Sequence, residues 1–297
     1  VALAVKPAEL RALIAAPHPD IAPLPPAAGR PGGVRMLRGV PYGSVEGARP
    51  LELDLWLPGP GPDQLPSPVV VFVHGGAWRR GRRDDLGVTT RSWDPGPFER
   101  LAAAGFAVAC VDYRLSGEAT FPAPLEDLRA ALRWLGLRSA ELGIDPLRTV
   151  VWGESAGGHL AALLALTHSE PRLAGAVVWY GPADLTTPRP PFDPADRATP
   201  EALLLGAAPL DAPELAAAAS PLRQVHGDAP PFLVIHGEAD TMVACSHGRD
   251  LARALRAAGA EVDLHTVAGA DHGWYGLDDE EVERIFARSV AFATAVS

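Results

Sequence analysis

Lysine is nearly missing from this chain of 297 residues: Lys6 is the only one, so arginine supplies almost all of the 26 basic side chains, set against 36 acidic ones. The resulting formal charge of −10 repels a phosphate backbone over most of the surface, which argues against a nucleic-acid binder. Cysteine is scarce as well. Cys110, inside the apolar run AVACV, and Cys245 sit in unlike surroundings, so no disulfide framework is expected and a reducing compartment suits the chain. No run reaches the roughly 18 consecutive apolar residues that a membrane span needs, and the N-terminal stretch lacks the charged-then-apolar order of a signal peptide. A cytoplasmic location is therefore expected, unless a leader preceded Val1 and was trimmed.

What is present is the composition of a folded protein: 47% hydrophobic and 21% charged side chains, which excludes disorder, collagen and a disulfide-stapled miniprotein. There is no internal repeat. Pro/Ala/Gly-rich stretches at 15–33, 58–68 and 181–200 punctuate the chain without dividing it. Between them, apolar runs at Val69–Val73, Ala107–Asp112, Thr149–Trp152, Ala176–Trp179, Phe232–His236 and Val262–Val267 read as strands of a parallel sheet covered on both faces. Helical spacing marks Leu125–Leu137, Gly158–Leu166 and His247–Ala258, the last followed by Gly259 as a C-cap. Val34–Val40 and Leu51–Leu57 read as an antiparallel entry pair. The fold class is thus α/β: one domain over 1–297 with a mostly parallel central sheet and helices on both faces. Residues 1–35 are expected to form an N-terminal arm contributing to a lid. Residues 181–231, with short helices at Pro200–Leu205 and Ala212–Ala219, are expected to form a cap-like insertion over the strand ends, where ligands bind in open α/β sheets. The arginine-rich run Trp78-Arg79-Arg80-Gly81-Arg82-Arg83, followed at once by Asp84 and Asp85, is expected to be a solvated loop.

One motif carries chemistry. Gly153-Glu154-Ser155-Ala156-Gly157 is G-x-S-x-G, set between a β-rich run and an Ala/Leu-rich helix; its glycines permit a sharp strand-to-helix turn that leaves Ser155 exposed at the tip. A serine hydroxyl needs a base. Of nine histidines, His236 and His265 fall in strands, His159 lies on the helix after the turn, His74 adjoins glycines, and His18, His168, His226 and His247 look like loop or surface residues. His272 follows the final strand in a small-residue loop and is the expected base. Asp240, just past another strand, is the expected orienting carboxylate, with Glu238 as its nearest rival; Asp271 is too close in sequence to face the ring. The glycines of Val73-His74-Gly75-Gly76-Ala77-Trp78 let backbone amides approach an oxyanion, with Gly75 and Gly76 donating beside Ala156. Trp78 and Trp274 flank these elements and are expected to bound a substrate pocket.

Together HGGAW, DYRL (Asp112 to Leu115), GESAGGHLA (Gly153 to Ala161), HGEAD and the late DHG resemble the α/β-hydrolase esterases related to hormone-sensitive lipase, nearest the bacterial branch of feruloyl-esterase-like and general carboxylesterases. The likeness spans residues 36–295. It implies Ser155 as nucleophile, Asp240 as acid, His272 as base, oxyanion amides at Gly75, Gly76 and Ala156, no metal and no cofactor, and a small-molecule ester of short acyl chain as substrate. The sequence departs from the pattern at Ala77, where relatives often have a third glycine, and at Glu154, where they often have Asp; Glu154 is expected to be structural. The kynurenine formamidases share the HGG-x-W loop, so formamide hydrolysis is the alternative. An inactive hydrolase-fold binding protein is a second, disfavoured because all three residues are retained. A prolyl peptidase would need a propeller domain for which the chain has no room. Oligomeric state is not legible.

Overall fold

The alternating runs fold into a nine-stranded sheet, described by a computed structural model over residues 18–59, 65–168 and 170–297. Its strands are β1 (Ala28–Gly29), β2 (Arg35–Gly43), β3 (Leu51–Leu57), β4 (Ser67–Val73), β5 (Ala107–Val111), β6 (Ile144–Glu154), β7 (Gly175–Trp179), β8 (Phe232–Gly237) and β9 (Val262–Val267). They lie in the order β1-β2-β3-β5-β4-β6-β7-β8-β9. Pairing is antiparallel from β1 to β5 and parallel from β5 to β9. Because β4 lies between β5 and β6, the chain reverses direction across the sheet here, the place where open α/β sheets form ligand crevices at their carboxyl ends.

The helices are α1 (Pro97–Ala103), α2 (Ala123–Leu137), α3 (Ser139–Leu142), α4 (Ala156–Thr167), α5 (Pro200–Leu205), α6 (Pro213–Ala218), α7 (Ser246–Ala257) and α8 (Asp279–Val296). Two cores result. On one face α2, α4 and α7 bury Leu128, Leu160, Leu163 and Leu251; on the other, α1 and α8 bury Phe98, Leu101, Ile285 and Phe286. This double cover explains why β5, β7 and β8 are apolar at almost every position.

The structure moves several expected boundaries. β2 runs on to Gly43 through Pro41; among the described residues β1 pairs with it only at Arg35 and Met36. Helix α8 falls outside the expected set, although Asp278 and Glu281 form a capping box at its start. Residues 1–17 of the N-terminal arm lie outside the described residues. In 181–231, Leu204 and Ala216 pack into the same core as α2 and α4. Among the described residues no helix is long and apolar enough to cross a membrane.

Two polar sites depart from expectation. Arg83 is only partly exposed: it donates to Asp54 Oδ1 at 2.9 Å, to Glu52 Oε2 at 3.1 Å and to Asp112, fastening its loop to β3 and to the end of β5. His247 is buried at the start of α7, where its Nδ1 accepts the Ala183 N–H at 3.1 Å; burial first, then Arg189 and His236 nearby, lowers its pKa from 6.5 to about 3.

Arg83→Leu is expected to cost about 3 kcal/mol in urea unfolding, because it takes the countercharge from the buried Asp54 carboxylate and leaves it the Gly39 amide. Arg82→Leu, whose guanidinium is largely exposed, should shift the midpoint far less. A lowered folded-state pKa at His247 stabilises the fold in full above pH 6.5 and progressively less as the pH falls towards 3, by at most about 1.4 kcal/mol per pH unit. Urea midpoints measured from pH 7 to 4 should therefore fall less steeply in His247→Gln than in the wild type.

Candidate active site

Ser155 occupies the turn between β6 and α4 with φ 52° and ψ −122°, a conformation that a side chain resists and that its surroundings must enforce. Two glycines make it reachable. A Cβ on Gly153 would sit 2.1 Å from the Gly157 carbonyl oxygen, and one on Gly157 would sit 2.0 Å from that of Val73. Bare backbone at both positions lets α4 begin directly against the end of β4. The Ser155 amide is tied to the neighbouring strand by donating to Trp179 O at 2.9 Å.

The structure brings Ser155, His272 and Asp240 together across β6, β8 and β9. His272 Nε2 lies 2.9 Å from Ser155 Oγ, and its Nδ1 lies 2.8 Å from Asp240 Oδ2. A carboxylate only accepts, so the proton is on Nδ1 and the Nε2 lone pair faces the hydroxyl. Asp240 also accepts the Met242 and Val243 amides on Oδ1, at 2.9 and 2.7 Å. Burial alone would raise its pKa, but hydrogen bonds with His236, His272 and the Val243 amide prevail and hold the carboxyl well below the usual carboxylate range. Glu238 instead faces Arg249 and Thr266. Asp271 staples the two loops together, its Oδ1 accepting the Thr241 amide at 2.7 Å and hydroxyl at 2.9 Å and the His272 amide at 2.7 Å. Tyr180, at the end of β7 and absent from the expected set, sets its ring edge-to-face against His272 with centroids 4.7 Å apart.

A cavity of about 490 Å³ opens on this group, walled by Gly76, Ala77, Glu154, Tyr180, Met242 and Tyr275 among others. None of its lining residues comes from 181–231. Three expected site residues are placed differently. Trp78 and Trp274 do not line the cavity, and both are buried in the core. Trp78 donates its indole N–H to His159, and Trp274 packs against Trp179 and Tyr180. The Gly75 amide is already engaged, donating to Glu154 Oε1 at 2.7 Å. Glu154 thus makes the expected contact to the loop after β4 and also lines the cavity; burial pushes its carboxyl up, against the opposing effects of His272, the Gly75 amide and Tyr180. The amides of Gly76, Ala77 and Ala156 donate to no described residue. Ala77 was missed because the motif draws attention to glycine, whereas the amide, not the side chain, is what the turn offers.

Residues 53–255 match the BD-FAE family over more than half of the chain. The chain belongs to the BD-FAE family. Among curated relatives of this BD-FAE protein, Esterase LipQ of Mycobacterium tuberculosis is 32% identical over 268 residues, covering 85% of this chain and 60% of the relative. Esterase LipC of the same organism is 34% identical over 76% of this chain and 57% of its own length. The chain thus spans about 60% of these relatives. Among solved structures, a truncated carbohydrate esterase from gut microbiota superposes with a TM-score of 0.73 at 26% identity, covering 89% of this chain and 99% of that one. A thermophilic esterase, Est2 of Thermogutta terrifontis, gives 0.69 at 25% identity over 90% and 93%. The α/β-hydrolase fold and the resemblance read from the motifs agree with these neighbours.

Gly157→Ala is expected to lower the melting temperature and to remove fluorophosphonate labelling of Ser155, because the new methyl has only the Val73 and His74 carbonyls to displace. Gly136→Ala, inside α2 with nothing within 4 Å, should raise stability by about 0.5–1 kcal/mol.

Proposed function

We propose that this BD-FAE protein is a serine carboxylesterase acting on small-molecule esters of short acyl chain. The observation that carries the reading is the unbroken hydrogen-bonded chain from Ser155 Oγ through His272 to Asp240, whose first two members line the cavity. In this reading Ser155 Oγ attacks the ester carbonyl while His272 Nε2 takes its proton, and Asp240 stabilises the imidazolium that forms. The tetrahedral oxyanion is met by the amides of Gly76, Ala77 and Ala156. Gly75 is left out of this set because Glu154 already holds its N–H. The proton then passes from His272 to the departing alcohol, and water activated by the same imidazole cleaves the acyl-enzyme. The names of the relatives support ester hydrolysis, and Est2 of Thermogutta terrifontis with propionate bound, at 25% identity and a TM-score of 0.70, supports a short acyl group.

Turnover of p-nitrophenyl acetate and butyrate, compared with N-formylkynurenine, tests the substrate class. The esters should be cleaved with the higher kcat/KM, and a reversed preference would assign the site to formamides. Ser155→Ala is expected to abolish fluorophosphonate labelling, and Asp240→Asn to lower kcat by about 10⁴-fold with the protein still folded.

A further inference from the structure

Two residues of the loop after β4 adopt backbone that side chains resist. Ala77 has φ 56° and Trp78 φ 54°, so the turn that presents the Gly76 and Ala77 amides must be held by contacts outside itself. Those contacts converge on Trp78. Its carbonyl accepts the Ser116 amide at 2.7 Å and the Ser116 hydroxyl at 3.2 Å, and its indole N–H donates to His159 Nδ1 at 3.2 Å. The two rings meet edge-to-face with centroids 5.0 Å apart.

His159 has no exposed surface, and both of its nitrogens are used. Nε2 lies 2.6 Å from the Ala219 carbonyl, just past α6. A carbonyl only accepts, so the proton is on Nε2 and Nδ1 keeps the lone pair that the indole N–H requires. Burial keeps the ring neutral, lowering its pKa from 6.5 to about 4 against the hydrogen bond to Ala219. The backbone N–H of the same residue donates to Ser155 O at 3.0 Å within the first turn of α4. One side chain therefore joins the nucleophile helix, the strained loop and the segment between β7 and β8.

We infer that His159 is a positioning residue for acyl transfer: as a neutral Nε2–H imidazole it pins the Trp78 indole and thereby fixes the strained turn whose amides face the oxyanion. The inference rests on the esterase reading of the site. It differs from simple core filling in one respect. A space-filler would change stability, whereas a pin for oxyanion amides changes binding of the tetrahedral species more than binding of the ester.

The test uses the full chain with p-nitrophenyl acetate, a boronic acid as tetrahedral mimic, and thermal melting. His159→Leu is expected to lower kcat about 10- to 100-fold with KM within about twofold, and to weaken boronate inhibition in parallel. His159→Gln offers an amide oxygen to the indole and an N–H to Ala219, and should restore kcat to within about threefold of wild type. Trp78→Phe keeps the ring but loses the N–H; it should match His159→Leu, and the double variant should lose little more than either. If His159→Leu does not fold, Trp78→Phe decides, and wild-type kcat in that variant overturns the inference. So does a folded His159→Leu with kcat within about twofold of wild type, or a loss of kcat unaccompanied by weaker boronate inhibition. A wild-type chain that neither reacts with a fluorophosphonate nor turns over the ester removes the esterase reading and this inference with it. Wild-type turnover with unaffected variants removes this inference alone.

Discussion

The closeness of one helix end to one strand end governs the site. Gly157 leaves room for only a hydrogen where α4 meets the Val73 and His74 carbonyls, and that contact sets how near the start of α4 comes to the loop leaving β4. Gly76 and Ala77 on that loop line the same cavity as Ser155, which the start of α4 follows directly. Close packing converts this small volume into a positional constraint: an added methyl cannot be absorbed by rigid backbone on both sides.

Four carboxylates have four distinct environments. Asp240 is saturated with donors and stays ionised beside the imidazole. Glu154 is pushed towards its neutral form by burial while it holds the Gly75 amide. Asp271 holds loop backbone together. Asp54, remote from the chemistry, is answered by Arg83 and the Gly39 amide. Carboxylates of similar intrinsic acidity thus divide the work through burial and the count of donors around each.

Much of this was legible in the sequence, for identifiable reasons. Strands covered on both faces read as apolar runs, so β4 to β8 stood out, and strict G-x-S-x-G spacing exposed Ser155. Asp240 and His272 were legible because each follows a strand in a short polar or small-residue loop. What was not legible depended on direction. Trp78 and Trp274 adjoin the cavity in sequence, but positive φ values of 54° and 67° accompany side chains buried in the core. Arg83 sits in a run that looks uniformly solvated, yet three acids on β3 and at the end of β5 meet it. Those partners lie 29 to 31 residues away in sequence, beyond the reach of local pattern. Tyr180 carries no motif; only the adjacency of β7 to β6 and β8 brings it under the imidazole.

The Asp271 contacts reach further than the residues they touch. Because Thr241 and His272 both bond to that carboxylate, the segments that follow β8 and β9 are joined twice, once by the imidazole and once by the neighbouring side chain. They are one inheritable cassette: a recombinant that exchanges residues 232–276 as a block carries both links intact, while a crossover between 241 and 271 must rebuild two interlocking geometries at once.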